Sequence, residues 1–334
     1  MNKGVIPTEQ LSEKLRARSI DLPGKRVLLS TFTDSEQEQD LTDPPNCRGV
    51  GRIRHFRRGG RSNWPQNPLP IDPAFNALGL PTADSIRAQV YQNAACNWRC
   101  WYCFVPFTHL SANEKHARWC TPSELIDWFM EEEDPPRMID LTGGQPDLVP
   151  EWVPWMMDEL QRRGLERSIY LWSDDNLSGD YFWTVLTDKE REQIRTYPMY
   201  GRVACFKGFD EGSFHFNTMA AHSEFAKQFA RFRKFVDLGL DVYAYATFTT
   251  PDGKDLGKKV TAFVDRLQGI HPLLPLRTVP LEIQMYSPVE ARIREEMTIA
   301  MTLQHEAIAV WNAQLRSRFS DKERRTPIHD VLLR

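Results

Sequence analysis

From Ala83 onward the apolar positions alternate between two periods, one suited to strands and one to helices. Arg87 to Gln92, with Ala88, Val90 and Tyr91, predicts a first strand. Thr121-Pro122-Ser123-Glu124 has the form of a capping box with proline at the first helical position, and Leu125, Trp128 and Phe129 continue it as an apolar helical face. Pro135-Pro136 stops that helix, and Met138 to Thr142 predicts a second strand. Trp152, Trp155, Met156 and Leu160 share a helix face closed by Gly164, and Ser168 to Trp172 predicts a third strand. Thr187-x-x-Glu190 opens the next helix, before a fourth strand over Arg202 to Phe206. Phe225, Phe229, Phe232 and Val236 lie at helical spacing up to Gly239, and Asp241 to Phe248 predicts a fifth strand. Val260, Phe263, Val264 and Leu267 predict one more helix, and Leu281 to Met285 a sixth strand. Strand starts about 30 to 50 residues apart suit right-handed βαβ units.

The fold class is therefore α/β: a partial (β/α)6 parallel barrel over residues 83–290. A C-terminal helix and polar tail follow over 291–334, with the helix running from Ala291 to about Arg318. Residues 1–82 lack the alternation. They carry an acidic-polar run (Asp34 to Asp43) and Pro65, Pro68, Pro70, Pro73 and Pro81, which prevent long helices, and predict an irregular Arg/Pro-rich extension. Arg48, Arg52, Arg54, Arg57, Arg58 and Arg61, with His55 and Phe56 among them, either grip phosphate or an acidic peptide or form a solvated basic loop. Charge runs usually face water, which favours the loop.

Composition narrows the function classes. With 42 basic and 45 acidic residues in 334, the formal net charge of −3 does not describe a polyanion binder. Mean hydropathy is −0.50 and no apolar run reaches the roughly 20 residues needed to cross a bilayer, so no membrane association is expected. The start of the chain has no signal-like apolar core, which predicts a cytoplasmic protein. Six cysteines, three of them clustered, fit a reducing compartment and a metal better than a disulfide framework.

The clustered three are Cys96, Cys100 and Cys103, in the stretch Cys96-Asn97-Trp98-Arg99-Cys100-Trp101-Tyr102-Cys103 directly after the first predicted strand. Three thiolates can ligate metal but fall one short of a four-ligand zinc or iron–sulfur site. On a 4Fe-4S cube they leave one iron open to a small chelator. In parallel α/β folds the carboxyl ends of strands collect active sites. The later strands end at Gly143-Gly144-Gln145-Pro146, Ser173-Asp174-Asp175-Asn176, Lys207-Gly208-Phe209-Asp210, Thr249-Thr250 and near Gln284-Met285. The Gly143-Gly144 pair lets backbone approach a ligand, or simply makes a tight turn. Asp174, Asp175 and Asn176 suit ribose hydroxyls, or equally a helix cap or Asx-turn. Cys47, Cys120 and Cys205 are scattered, which for isolated cysteines favours packing over reactivity.

The C-x3-C-x2-C spacing, with Tyr102 before the third cysteine and a strand before the first, resembles the signature of the radical S-adenosylmethionine (radical SAM) superfamily. The resemblance covers roughly residues 84–290. It implies a single 4Fe-4S cluster on Cys96, Cys100 and Cys103, with SAM chelating the fourth iron. One-electron reduction then yields methionine and a 5′-deoxyadenosyl radical that abstracts hydrogen from substrate. It further implies that Tyr102 packs near the adenine and that Gly143, Gly144 and Gln145 match the family's Gly-Gly-Glu-Pro motif, which helps hold the methionine amino group. Here Gln145 replaces the Glu and removes its charge. The segment Arg202 to Asp210 more faintly resembles the glycyl-radical-enzyme activating branch, with Lys207 matching its lysine and Cys205 standing at its Asp.

Superfamily resemblance does not fix the substrate. A small molecule or nucleotide in the barrel, with the arginines binding phosphate, comes first. A peptide or partner protein follows, then RNA. An external one-electron donor, flavodoxin- or ferredoxin-like, is expected. The rival class is a non-catalytic iron–sulfur or zinc protein, with His109 or Cys120 closing the metal site.

Overall fold

A computed structural model describes residues 4–59 and 64–333, and in it the alternating pattern becomes one large sheet wrapped by helices. In chain order the strands are β1 (Ile20–Asp21), β2 (Arg26–Ser30), β3 (Gly51–Arg57), β4 (Ser85–Gln92), β5 (Ala117–Cys120), β6 (Met138–Thr142), β7 (Tyr170–Asp175), β8 (Tyr200–Phe206), β9 (Val242–Thr247) and β10 (Thr278–Leu281). The main sheet has the order β10-β9-β8-β7-β6-β4-β3. Its six strands from β4 to β10 run parallel, and it curls into an incomplete barrel. This is the expected partial (β/α)6 barrel. β1, β2 and β5 form a small antiparallel sheet beside the cysteine loop, where the N–H of Ala94 donates to the carbonyl of Leu28.

Period-two alternation sorts each strand between helices and barrel interior. Ile139, Leu141, Leu171, Ala204, Phe206, Ala244 and Ala246 join the core under the helices. Met138, Trp172, Val203 and Tyr243 face inward and meet Leu69, Ile71 and Ala74, so that the helix Ile71–Leu78 plugs the barrel floor. Above this apolar floor the interior is polar: Asp140, Thr142, Asp174, Cys205, Lys207, Tyr245 and Thr247 occupy the inward register of β6 to β9 or continue it.

Helix starts follow the local signals. Both expected capping boxes form, Thr121 with Glu124 and Thr187 with Glu190. Gly164 and Gly239 adopt positive φ after their helices (+69° and +78°). The C-terminal helix spans Glu295–Arg318, slightly shorter than expected.

Three expectations are corrected. The sixth strand lies at Thr278–Leu281, not 281–285, because Pro280 is tolerated where β10 forms the sheet edge. The third strand runs on through Asp174 and Asp175, whose carboxylates find partners that offset their low strand propensity. The arginine run is no basic loop: residues 51–57 form β3, antiparallel to β4, as a seventh strand. Arg48 pairs with Glu131 at 2.8 Å and Arg58 with Asp72, whereas Arg52 and Arg54 stand opposite Val90 and Ala88 on the inward face. Arg61 lies outside the described residues.

Candidate functional site

The cysteine loop hangs from the carboxyl end of β4 and is fixed by backbone bonds on both sides. The N–H of Cys96 donates to Leu110 O (3.0 Å), that of Arg99 to Thr218 O (3.1 Å), and that of Trp101 to Asn217 O (3.2 Å). Trp98 is fully buried, and its indole N–H donates to the Thr8 hydroxyl at 3.1 Å. Cys96 and Cys100 are buried and Cys103 is half-buried, and none of the six cysteines forms a disulfide.

Cys100 and Cys103 both respond to their neighbours. Burial pushes Cys100 up to about 12, with Cys96, Cys103 and Cys205 adding to the rise and Lys207 opposing it. Burial, then Cys96, likewise raises Cys103. Among the described residues no three His, Cys, Asp or Glu side chains gather around a point for a single metal ion. A mononuclear zinc site is built that way, while thiolates on an iron–sulfur cube each meet a different iron. Three thiolates on one loop supply three of the four ligands that a 4Fe-4S cube takes. The candidate fourth ligands are engaged elsewhere. The His109 ring lies 4.7 Å from that of His116, tilted by 35°, and its Nδ1 meets the Thr108 hydroxyl at 3.1 Å, while Cys120 neighbours Cys47 and Tyr91.

The turn after β6 is welded to the cysteine loop. A Cβ on Gly144 would lie 2.4 Å from Asn93 O and 2.5 Å from Ala95 O, and one on Gly143 would lie 2.5 Å from the Gln92 side chain. Both residues have positive φ (+69° and +62°). The glycines are thus required by protein packing against the cysteine loop. The N–H of Gln145 donates to Ala95 O at 2.7 Å. The Gln145 side chain is buried and braces the next strand end: its amide donates to Asp175 (2.7 Å) and its carbonyl accepts from the N–H of Asn176 (2.9 Å).

Strand alternation splits the expected ribose-facing group. Ser173 and Asp175 point to the helical side: the Ser173 hydroxyl meets Tyr200 Oη at 2.7 Å, and Asp175 lies 3.3 Å from Arg202. Asp174 alone of the strand residues faces inward, accepting from the Thr142 hydroxyl. Asn176 turns toward the loop, 3.7 Å from Cys96 Sγ and 3.3 Å from Asn97 Oδ1. Tyr102 is buried, with its hydroxyl 3.5 Å from that of Thr247. Lys207 sits beneath the loop: burial works against its cation, but Cys205, Tyr102 and Cys100 hold its pKa well above the usual value.

Sequence reasoning missed two contributors, Asn217 and Arg292, and gave Cys205 only a faint place beside Lys207. Asn217 is fully buried and ties the cysteine loop to two strand ends, accepting from the Trp101 indole (3.0 Å) and donating to Lys207 O (2.9 Å) and Thr249 O (3.3 Å). Arg292 donates to Cys103 O and lies 4.3 Å over the Phe107 ring. Cys205, read as isolated, lies beside Lys207 and Cys100. Only the Cys205-x-Lys207 spacing carried a signal in sequence.

Comparison with known proteins finds no matching family model and no matching curated protein. Among solved structures, Streptococcus suis SuiB bound to precursor peptide SuiA aligns at 13% identity and TM-score 0.39, covering 54% of this chain and 36% of that one. SuiB bound to S-adenosylmethionine aligns at 12% identity and TM-score 0.37, covering 54% and 37%. The aligned region thus spans little more than a third of SuiB, and at this distance the likeness assigns neither fold nor activity. No comparison extends the resemblance to the activating branch. Among the described residues no helix is long and apolar enough to cross a membrane.

Proposed function

We propose that this chain is a radical SAM enzyme, with Cys96, Cys100 and Cys103 as the protein ligands of one 4Fe-4S cluster. The observation that carries this reading is the C-x3-C-x2-C loop at the carboxyl end of β4. It sits at the strand-end side of the half-barrel, where Thr142, Asp174, Lys207 and Thr247 also lie. When bound, the cluster and SAM would supply one-electron radical chemistry for removing a hydrogen atom from substrate.

The protein's own residues position and shield. Trp98, Trp101 and Tyr102 keep water from the loop, as a low-dielectric site requires. Arg99 and Arg292 donate to the carbonyls of Cys96 and Cys103 and so hold the loop at both of its ends. The Gly143-Gly144-Gln145 turn fixes the loop's entry strand, and its exposed edge is our candidate for the SAM amino group. Asn176, Asp174 and Lys207 are candidates for the remaining polar contacts. Substrate, a small molecule or nucleotide, occupies the interior above the apolar floor, and electrons come from an external flavodoxin- or ferredoxin-like donor.

The test is anaerobic reconstitution with iron and sulfide, then SAM and a strong reductant, with 5′-deoxyadenosine measured by mass spectrometry. The wild-type chain is expected to form it, and Cys100→Ala to lose both product and visible absorbance. SAM cleavage by Cys100→Ala at the wild-type rate would overturn the assignment.

A further inference from the structure

Beside the cysteine loop lies a cavity of about 70 Å3 lined by Gln37, Asp40, Arg52, Arg54, Phe104 and Tyr286. Its two arginines come from adjacent inward positions of β3, so the strand's alternation aims both guanidiniums at one space. Other arginines of the same run have carboxylate partners: Arg48 has Glu131 and Arg58 has Asp72. Among the described residues Arg52 and Arg54 have none, and the buried Nε of Arg52 has no hydrogen-bond partner. Aromatic rings hold them instead. The Arg52 guanidinium lies 5.5 Å from the Phe32 ring centre and 5.4 Å from that of Phe104, and Arg54 lies 4.1 Å from that of Phe56. A guanidinium held over a ring makes its contact through charge and leaves N–H groups available to a ligand.

Carboxyls also stand near the pair, and Asp140 and Asp40 favour the Arg52 charge without forming an ion pair with it. Asp40 is committed to Ser287, accepting from its N–H (3.0 Å) and hydroxyl (3.1 Å), which pins the segment after Tyr286 over the cavity. Burial, then Asp174, pushes Asp140 well above the usual carboxyl range; burial also raises Asp174. Burial and the neighbouring Arg54 charge push Arg52 down to about 9. Two half-buried guanidiniums at one cavity, with no ion-pair partner among the described residues, favour an anion between them.

We propose that Arg52 and Arg54 bind a phosphate monoester carried by a small-molecule substrate, with Phe104 and Tyr286 against the group it esterifies. Their double charge matches a phosphate dianion better than a single carboxylate. Calling the ligand a substrate rests on the radical SAM reading; the anion site does not, since it needs neither iron nor SAM.

The test is binding of inorganic phosphate and of a nucleoside 5′-monophosphate to the purified, cluster-free protein by calorimetry. Saturable binding is expected, weakened about tenfold or more in Arg52→Gln and in Arg54→Gln, the scale of a lost charged hydrogen bond. Arg57→Gln, altered on the exposed side of the same strand, should bind as wild type. Because a variant can misfold, wild-type protein is also treated with phenylglyoxal: phosphate should protect Arg52 and Arg54, located by peptide mass spectrometry, while malonate at the same concentration should not. Binding unaffected by both Gln variants, no protection by phosphate, or preference for malonate or an acidic peptide would each overturn the proposal. SAM cleavage is scored separately, so either reading can fail alone.

Discussion

At the scale of single residues, the site depends on groups that leave no room for substitution. Gly144 combines positive φ with carbonyl oxygens 2.4 and 2.5 Å from where a Cβ would stand. Gly144→Ala must push the turn off the cysteine loop, breaking the Gln145-to-Ala95 bond. The cost from overpacking and left-handed backbone is about 2–4 kcal/mol. Urea denaturation should show it, with a parallel fall in iron bound on reconstitution; native stability and full iron loading would refute this role. The cysteines were legible in the sequence because their chemistry sits in eight consecutive residues. Arg292 was not, being 189 residues from the carbonyl it holds. Asn217 was equally hidden, since nothing local marks a buried asparagine as a bridge between loop and strands. Gln145 was read as ligand-facing, but its buried amide is already bonded to Asp175 and Asn176.

Among the elements, a buried ion cluster keeps strand ends in register. Arg202 on β8 pairs with Asp147, in the short turn after β6, and lies 3.3 Å from Asp175 on β7. All three are almost wholly buried, and the guanidinium also lies 4.5 Å from the Phe235 ring centre. Arg202→Met would remove the cation between Asp147 and Asp175 in a desolvated space, at a cost of about 3–5 kcal/mol. Chemical denaturation of that variant measures it; a loss under about 1 kcal/mol, within the range of surface pairs, would contradict the role. Elements set by local signals were readable: β6 matches the expected 138–142, and both capped helices begin where their boxes predicted. Elements set by tertiary context were not. β3 puts arginines where an inward strand position usually carries apolar residues, β7 puts aspartates at its end, and β10 contains Pro280 because it is an edge.

For the whole molecule, the half-barrel joins an apolar floor, a polar interior and a cysteine-bearing rim. The N-terminal region takes part in all three: the helix Ile71–Leu78 plugs the floor, β3 lends its arginines to the interior, and Thr8 holds Trp98 at the rim. Sequence periodicity made the parallel core legible from Ala83 onward. It missed this participation because the N-terminal segments are short and interrupted by prolines, and their partners lie far along the chain. The central claim is that three thiolates hold an iron–sulfur cube with one corner free. Its most direct test is the Mössbauer spectrum of protein reconstituted with 57Fe, recorded without and with SAM. About four irons per chain are expected, one of which changes its spectrum when SAM is added. Four irons indifferent to SAM, or zinc taken up in place of iron, would contradict it.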